Sequence, residues 1–304
     1  MNYKAGFVGL IGLPNAGKST LLNVLVQQKL SIVTSKPQTT RRRVLGVETF
    51  TSSQVIIVDA PGVVEASRGL NAFLQKEAQN VIGESDVLVA VLSIDEERKE
   101  NLERIIQLVS TANKPWFYVI TKVDLAHYFH RKEQIKSDLK EKYPEVKGIE
   151  FSNQWGKDLE SFRADFFALA LASLPTMPCP LYDPEIYTPH STRELVAEIV
   201  REKCFELLSH ELPYQIAVRI RSFDEQEKLV RIEADILVGK ENHKAMVIGS
   251  GGAKIKQIGQ AARADIEAML DHPCFLNLTV VVRENWMENR LIMKELGYVS
   301  IDKK

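Results

Sequence analysis

A chain of 304 residues, 45% hydrophobic and 26% charged, is long enough for two separate cores and has an ordinary globular composition. A net charge of -1 excludes a protein that coats nucleic acid by bulk charge, so any nucleic-acid site must be local. No apolar run approaches the roughly 18 residues of a spanning helix, the N-terminus lacks a signal-peptide pattern, and Cys179, Cys204 and Cys274 lack disulfide-framework or zinc spacing. The expected setting is therefore cytoplasmic, with reduced cysteines.

In chain order, an apolar run at 7–11 predicts a strand, and 20–25 has helical spacing. Between them, Gly12-Leu13-Pro14-Asn15-Ala16-Gly17-Lys18-Ser19 matches G-x-x-x-x-G-K-[ST] in the strand-loop-helix context that this pattern requires, with Thr20 next. The glycines let backbone N–H groups face a phosphate and the helix N-terminus adds partial positive charge. Lys18 can reach β/γ oxygens, and Ser19 can hold Mg²⁺. Runs at 44–50 and 54–58, separated by Thr51-Ser52-Ser53, predict an antiparallel hairpin. The second run closes on Asp59-Ala60-Pro61-Gly62, where the carboxylate can hold Mg²⁺ through water and the Gly62 N–H can meet a γ-phosphate.

A helix at 71–82, a strand at 86–94, a helix at 98–112 and a strand at 116–120 alternate, which predicts a mostly parallel sheet with ligands at the carboxyl ends of its strands. Thr121-Lys122-Val123-Asp124 closes the 116–120 strand. A carboxylate at Asp124 can accept from guanine N1–H and the 2-amino group together, whereas adenine offers an acceptor at N1 and no 2-amino donor. A last strand at 148–151 ends in Ser152-Asn153-Gln154, before a helix at 159–174. His127 and His130 have no further ligand cluster beside them and are expected on a solvated helical face.

Pro175, Pro178, Pro180, Pro184 and Pro189 predict an extended linker. Three regions follow: a nucleotide-binding domain at 1–174, the linker at 175–190, and a second domain at 191–304 with a C-terminal helix. Ser191-Thr192-Arg193-Glu194 reads as a capping box, and 215–221 and 229–238 as antiparallel strands with one solvated face. The stretch 246–259 then places Gly249-Ser250-Gly251-Gly252, a G-x-x-G turn, between two short helices, before a third strand at 276–282. From 181 to 304 there are 17 Lys and Arg against 20 Asp and Glu, yet Lys240, Lys244, Lys254, Lys256 and Arg263 face only Glu241 across 239–263. The positive charge is concentrated beside the turn.

The order helix, strand, strand, helix, GxxG, helix, strand resembles the type II KH domain, whose GxxG loop clamps single-stranded nucleic acid. That resemblance implies RNA binding by Ile248, Gly249, Ser250, Gly251, Gly252, Lys254 and Lys256. The first half resembles the translation-factor-like GTPases, and the two halves together resemble the Era family over nearly the whole length. The implied fold is an α/β P-loop GTPase domain with a mostly parallel sheet, plus a smaller α+β type II KH domain. Gln38-Thr39-Thr40-Arg41 resembles the effector-loop element of that family, and the stretches at Asp59, Thr121 and Ser152 resemble its later elements.

The resemblance implies hydrolysis of GTP to GDP and phosphate, with Lys18 and Gly62 at the reacting phosphate. It extends the nucleotide site over Gly12 to Thr20, Asp59 to Val63, Thr121, Lys122, Asp124, Ser152, Asn153 and Gln154. Mg²⁺ would be held by Ser19 and one of Thr39 and Thr40, with Asp59 behind it, and Asn15 suggests K⁺ as a helper. The implied partners are the small ribosomal subunit, whose assembly the family serves, the 3′ region of 16S rRNA, and the inner face of the membrane as a peripheral contact. No feature calls for an obligate oligomer. Thr121 stands where the family usually has Asn, Asn153-Gln154 where it has Ala-Glu or similar, and Gly251 where it has a polar residue. Weaker nucleotide binding with an unchanged base is expected. A P-loop ATPase and an RNA scaffold gated by nucleotide with negligible turnover are the alternatives.

Overall fold

A computed structural model describes residues 3–34, 36, 39–63, 69–154 and 156–298. They form two compact units that divide between Pro189 and His190, with the described residues of Ile32–Thr39 and Ser67–Phe73 grouped with the second. Gln38 of the effector-loop element lies outside the described residues.

The first unit runs β1 (Tyr3–Gly12), α1 (Lys18–Val26), β2 (Val44–Phe50), β3 (Ser53–Asp59), α2 (Gly69–Glu84), β4 (Val87–Ser93), α3 (Lys99–Ser110), β5 (Trp116–Thr121), α4 (Phe129–Lys142), β6 (Gly148–Phe151), α5 (Leu159–Ser173) and β7 (Thr176–Met177). Among the described residues the sheet has the order β2-β3-β1-β4-β5-β6, with β7 on β1. The strands from β3 to β6 are parallel, while β2 and β7 run antiparallel to their neighbours. β3 and β4 are buried at every position, as strands covered on both faces must be. Leu102, Ile105 and Val109 make the apolar stripe of α3. Only Ile135 and Leu139 are buried on α4, so its period is too faint to announce a helix in the sequence.

This topology sets the carboxyl ends of β1, β3 and β5 side by side, which carries Gly12, Asp59 and Thr121 to one edge. The proline-rich stretch is tied along the same unit. The Gln54 side chain accepts from the Leu181 and Tyr182 N–H groups, Val47 N–H donates to Tyr187 O at 2.8 Å, and Thr188 Oγ1 donates to Leu45 O at 2.7 Å. The bonds to Val47 and Leu45 occupy part of the outer edge of β2, an otherwise open template for strand pairing.

The second unit contains α6 (Thr192–Leu207), β8 (Ile216–Gln226), β9 (Leu229–Val238), α7 (Glu241–Ile248), α8 (Ala253–Leu270), β10 (Cys274–Val282) and α9 (Arg290–Glu295). Its sheet has the order β10-β9-β8, with β8 antiparallel and β10 parallel to β9. Val196, Val200 and Cys204 of α6 and Ile258, Ala262 and Ile266 of α8 pack on Ile232, Ala234 and Ile236 of β9. The helix after the glycine turn is not short. It runs 18 residues because its buried stripe continues past Gly259.

The capping box forms as the sequence indicates: Ser191 Oγ accepts from Glu194 N–H, and Glu194 accepts from Ser191 N–H at 2.9 Å. Ser191→Ala should lower the stability of the second unit by about 1 kcal/mol in urea unfolding. An unchanged unfolding midpoint would show that this cap contributes nothing.

Candidate nucleotide site and nucleic-acid groove

The phosphate loop turns tightly. Asn15 (φ 63°) and Gly17 (φ 90°) are left-handed, and Gly17 is the N-cap of α1, a conformation that a residue with a Cβ adopts only under strain. Lys18 is 5% exposed, and its ammonium donates to Gly12 O at 3.2 Å and Leu13 O at 2.8 Å, folding over the loop that it belongs to. Burial pushes Lys18 down to about 8, against the pull of the Asp59 carboxylate.

Asp59 is fully buried. Its Oδ2 accepts from Ser19 Oγ at 2.6 Å, from Ser31 Oγ at 2.9 Å and, more distantly, from Thr40 Oγ1 at 3.5 Å; Ser19 and Thr40 hydroxyls also meet at 2.9 Å. Oδ1 is buried with no hydrogen-bond partner among the described residues. Burial drives the Asp59 carboxyl upward, opposed by Lys18 and the three hydroxyls. An unmatched carboxylate oxygen beside two hydroxyls fits Mg²⁺, a hard cation that takes oxygen ligands. Of the two threonines left open by the sequence, Thr40 is the one brought to Ser19 and Asp59.

The loop after Asp59 is pressed onto the phosphate loop. Val63 N–H donates to Gly12 O at 3.1 Å, and a Cβ on Gly62 would lie 2.5 Å from Pro14 N and 2.7 Å from Pro14 Cα. Only glycine allows that approach. Ala60, Pro61 and Gly62 are buried there.

At the end of β5, Thr121 is fully buried, and its hydroxyl donates to Ala16 O at 2.7 Å. The threonine that stands where the family usually has Asn therefore makes a side-chain tie to the phosphate loop. Lys122 adopts a left-handed φ of 59° and pairs with Asp95 Oδ2 at 2.7 Å. Burial raises the Asp95 carboxyl, but hydrogen bonds from Lys122 and Ser93 outweigh it and hold it below the usual range. Asp124 is exposed, and Ser152, buried beneath it, donates to Asp124 Oδ1 at 2.6 Å while accepting from Gln154 N–H at 3.0 Å. Asn153 and Gln154 are exposed. Ser31 and Asp95 are contacts that sequence reasoning missed, because each lies in a loop with no motif of its own.

The second unit carries the other candidate site. Gly249 (φ 73°), Gly251 (φ 57°) and Gly252 (φ 80°) explain three glycines in one turn. The turn caps the N-terminus of α8, whose first turn has no acidic residue and bears Lys254 and Lys256. A groove of about 380 Å³ continues from it, lined by Lys256, Gly259, Gln260 and Arg263 of α8 and Phe275 and Leu278 of the edge strand β10. Phe275 is 52% exposed, with the Arg231 guanidinium 5.8 Å from its ring centre. Arg263, Gln260 and Phe275 extend the candidate surface beyond the residues that the GxxG pattern indicates.

Residues 7–122 match the 50S ribosome-binding GTPase family and 211–287 match the KH domain. The chain is 38% identical over 299 residues to the GTPase Era of Geobacter metallireducens, covering 97% of this chain and 98% of that protein. The chain belongs to the Era family of GTPases. A second family member, from Clostridium botulinum, is 36% identical over 302 residues, covering 98% and 99% of the two chains. Two solved Era structures superpose over 98% of this chain and 100% of theirs. One is a point variant of Aquifex aeolicus Era bound to GDP and AlF4⁻ (TM-score 0.89, 32% identity), and the other is Era with MgGDPNP and nucleotides 1506–1542 of 16S ribosomal RNA (TM-score 0.90, 33% identity). An Era-family chain therefore unites the P-loop unit and the KH unit described above.

The buried Lys18 predicts that nucleotide binding is proton-linked if its ammonium meets a phosphate. Without ligand, Lys18 loses its proton as pH rises through about 8, and a bound phosphate restores the charge. GDP binding should take up a proton above that value, and affinity should fall by up to about tenfold per pH unit there. Calorimetry at pH 9 in two buffers of different ionisation enthalpy should show that uptake, and Lys18→Arg should abolish it. Binding by the wild type without proton uptake would show that Lys18 keeps its proton in the free protein at pH 9.

Proposed function

We propose that this chain binds GTP with Mg²⁺, hydrolyses it to GDP and phosphate, and binds single-stranded RNA of the 16S rRNA 3′ region during assembly of the small ribosomal subunit in the cytoplasm. The observation that carries the enzymatic half is the convergence of Lys18, Ser19, Thr40, Asp59 and Gly62 at one edge of the sheet. Lys18 and the loop N–H groups bind the β- and γ-phosphates, and the Gly62 N–H approaches the γ-phosphate as charge develops on it. Ser19 and Thr40 hydroxyls would hold Mg²⁺, with Asp59 supporting through water; the ion, when bound, neutralises charge on the β- and γ-oxygens. Water adds to the γ-phosphorus, the bond to the β–γ bridging oxygen breaks, and GDP leaves.

Asp124, oriented by Ser152, accepts from guanine N1–H and the 2-amino group. Val63 follows Gly62 and cannot orient a water as a glutamine does, so intrinsic turnover is slow. Asn15, exposed at the loop, is the residue through which K⁺ would supply charge. Equal rates in K⁺ and Na⁺ would remove that role.

The RNA half rests on the Gly249–Gly252 turn, the basic first turn of α8 and the groove beyond it. The domain division carried by this reading is 1–174, 175–190 and 191–304. Ser250→Asp combined with Gly251→Asp puts carboxylates where phosphates approach; a Cβ at Gly251 meets nothing within 4 Å, and its left-handed φ of 57° costs Asp some strain but is a region that Asp enters more readily than most residues. The double variant should lose binding to a 16S 3′-end oligonucleotide and keep basal phosphate release from GTP near wild type. Wild-type affinity should fall as salt rises. Equal RNA affinity in the two proteins would strip the turn of its function, and absence of phosphate release by wild type in K⁺, with small subunits present, would leave a nucleotide-gated scaffold.

A further inference from the structure

Asp59 Oδ2 receives three hydroxyls, and they are not equivalent. Ser19 and Thr40 are would-be metal ligands under the reading above, on which this inference rests. Ser31 is not one. It is 3% exposed, and its hydroxyl points at Asp59 Oδ2 from 2.9 Å across 28 residues of sequence.

Ser31 is itself held with unusual completeness for a loop residue. Asn23 Oδ1 accepts from both the Leu30 and Ser31 N–H groups at 2.9 Å, and Asn23 Nδ2 donates to Ser31 O at 2.9 Å. Asn23 lies four residues after Ser19 on α1, so the two side chains share one face of that helix, one turn apart. One helix therefore supplies both a candidate metal ligand and the clamp that fixes the residue behind the supporting carboxylate. Oδ1, the oxygen left bare, is aimed by what holds Oδ2.

We propose that Ser31 is a positioning residue for the Mg²⁺ site: its hydroxyl, clamped by Asn23, fixes the Asp59 carboxylate so that Oδ1 stays available to the metal's hydration shell. Outer partners of this kind orient the groups that face the ion, and their loss typically costs 10- to 100-fold in metal affinity. Ser19 and Thr40 could still donate their protons to Asp59 while a lone pair meets the metal, but they would move with the ion, whereas Ser31 is held from the protein side by Asn23.

Release of a fluorescent GDP analogue from the full chain, measured across a Mg²⁺ titration and in EDTA, tests the assignment. In wild type, Mg²⁺ slows release. In Ser31→Ala the Mg²⁺ concentration for half-maximal slowing should rise roughly tenfold, with the rate in EDTA within about twofold of wild type. Asn23→Ala, which keeps the hydroxyl but frees the loop that carries it, should shift the midpoint in the same direction by less. An unchanged midpoint overturns the proposal, as does faster release to the same extent with and without Mg²⁺, which would make Ser31 a packing residue. Wild-type release that ignores Mg²⁺ would instead overturn the metal site itself, and the Ser31 role with it.

Discussion

A carboxylate with no exposed surface and one bare oxygen is the constraint from which the nucleotide site follows. Taking an ionised carboxyl out of water costs on the order of several kcal/mol, and the nearby Lys18 ammonium, itself buried, offsets that cost only in part. Both groups are displaced from their ordinary titration ranges in the direction that disfavours charge. A phosphate beside Lys18 and a cation beside Asp59 would relieve both at once, so the fold is electrostatically prepared for the pair. The hydroxyls of Ser19, Ser31 and Thr40 keep the carboxylate in one orientation until then.

The surrounding architecture serves to hold that arrangement. Parallel strands buried on both faces put the ends of β1, β3 and β5 next to one another, and the loops that leave them are stitched together by Val63 N–H to Gly12 O, Thr121 Oγ1 to Ala16 O and the contact of Gly62 with Pro14. The end around Asp124, proposed to meet the base, is built more loosely. Asp124 is exposed and owes its orientation to the buried Ser152, as a side chain must when it meets a base arriving from solvent.

The phosphate loop, the Asp59 loop, the parallel sheet and the GxxG turn were legible in the sequence because each rests on short spacing or on a strong period. What stayed hidden has long reach or weak pattern. Ser31 reaches Asp59 over 28 residues from a loop without motif, and Asp95 meets Lys122 from another strand end. That the Thr40 hydroxyl meets Ser19 and Asp59 depends on a rotation of the chain that two adjacent identical residues cannot reveal. α4 buries too few side chains to show helical spacing, and α8 runs past Gly259, usually a helix-weakening residue, because its buried stripe continues at Ala262 and Ile266. In the KH unit, glycines were visible as glycines, but Phe275 and Arg263 joined the groove only when β10 was laid beside α8.

A crystal structure of this chain with Mg²⁺ and a non-hydrolysable GTP analogue tests the central claim most directly. Ser19 and Thr40 hydroxyls should lie in the coordination shell of the ion, with a water between it and Asp59 and Ser31 still on Oδ2. Thr39 at the metal, or an Asp59 carboxylate turned away from the ion, would contradict it.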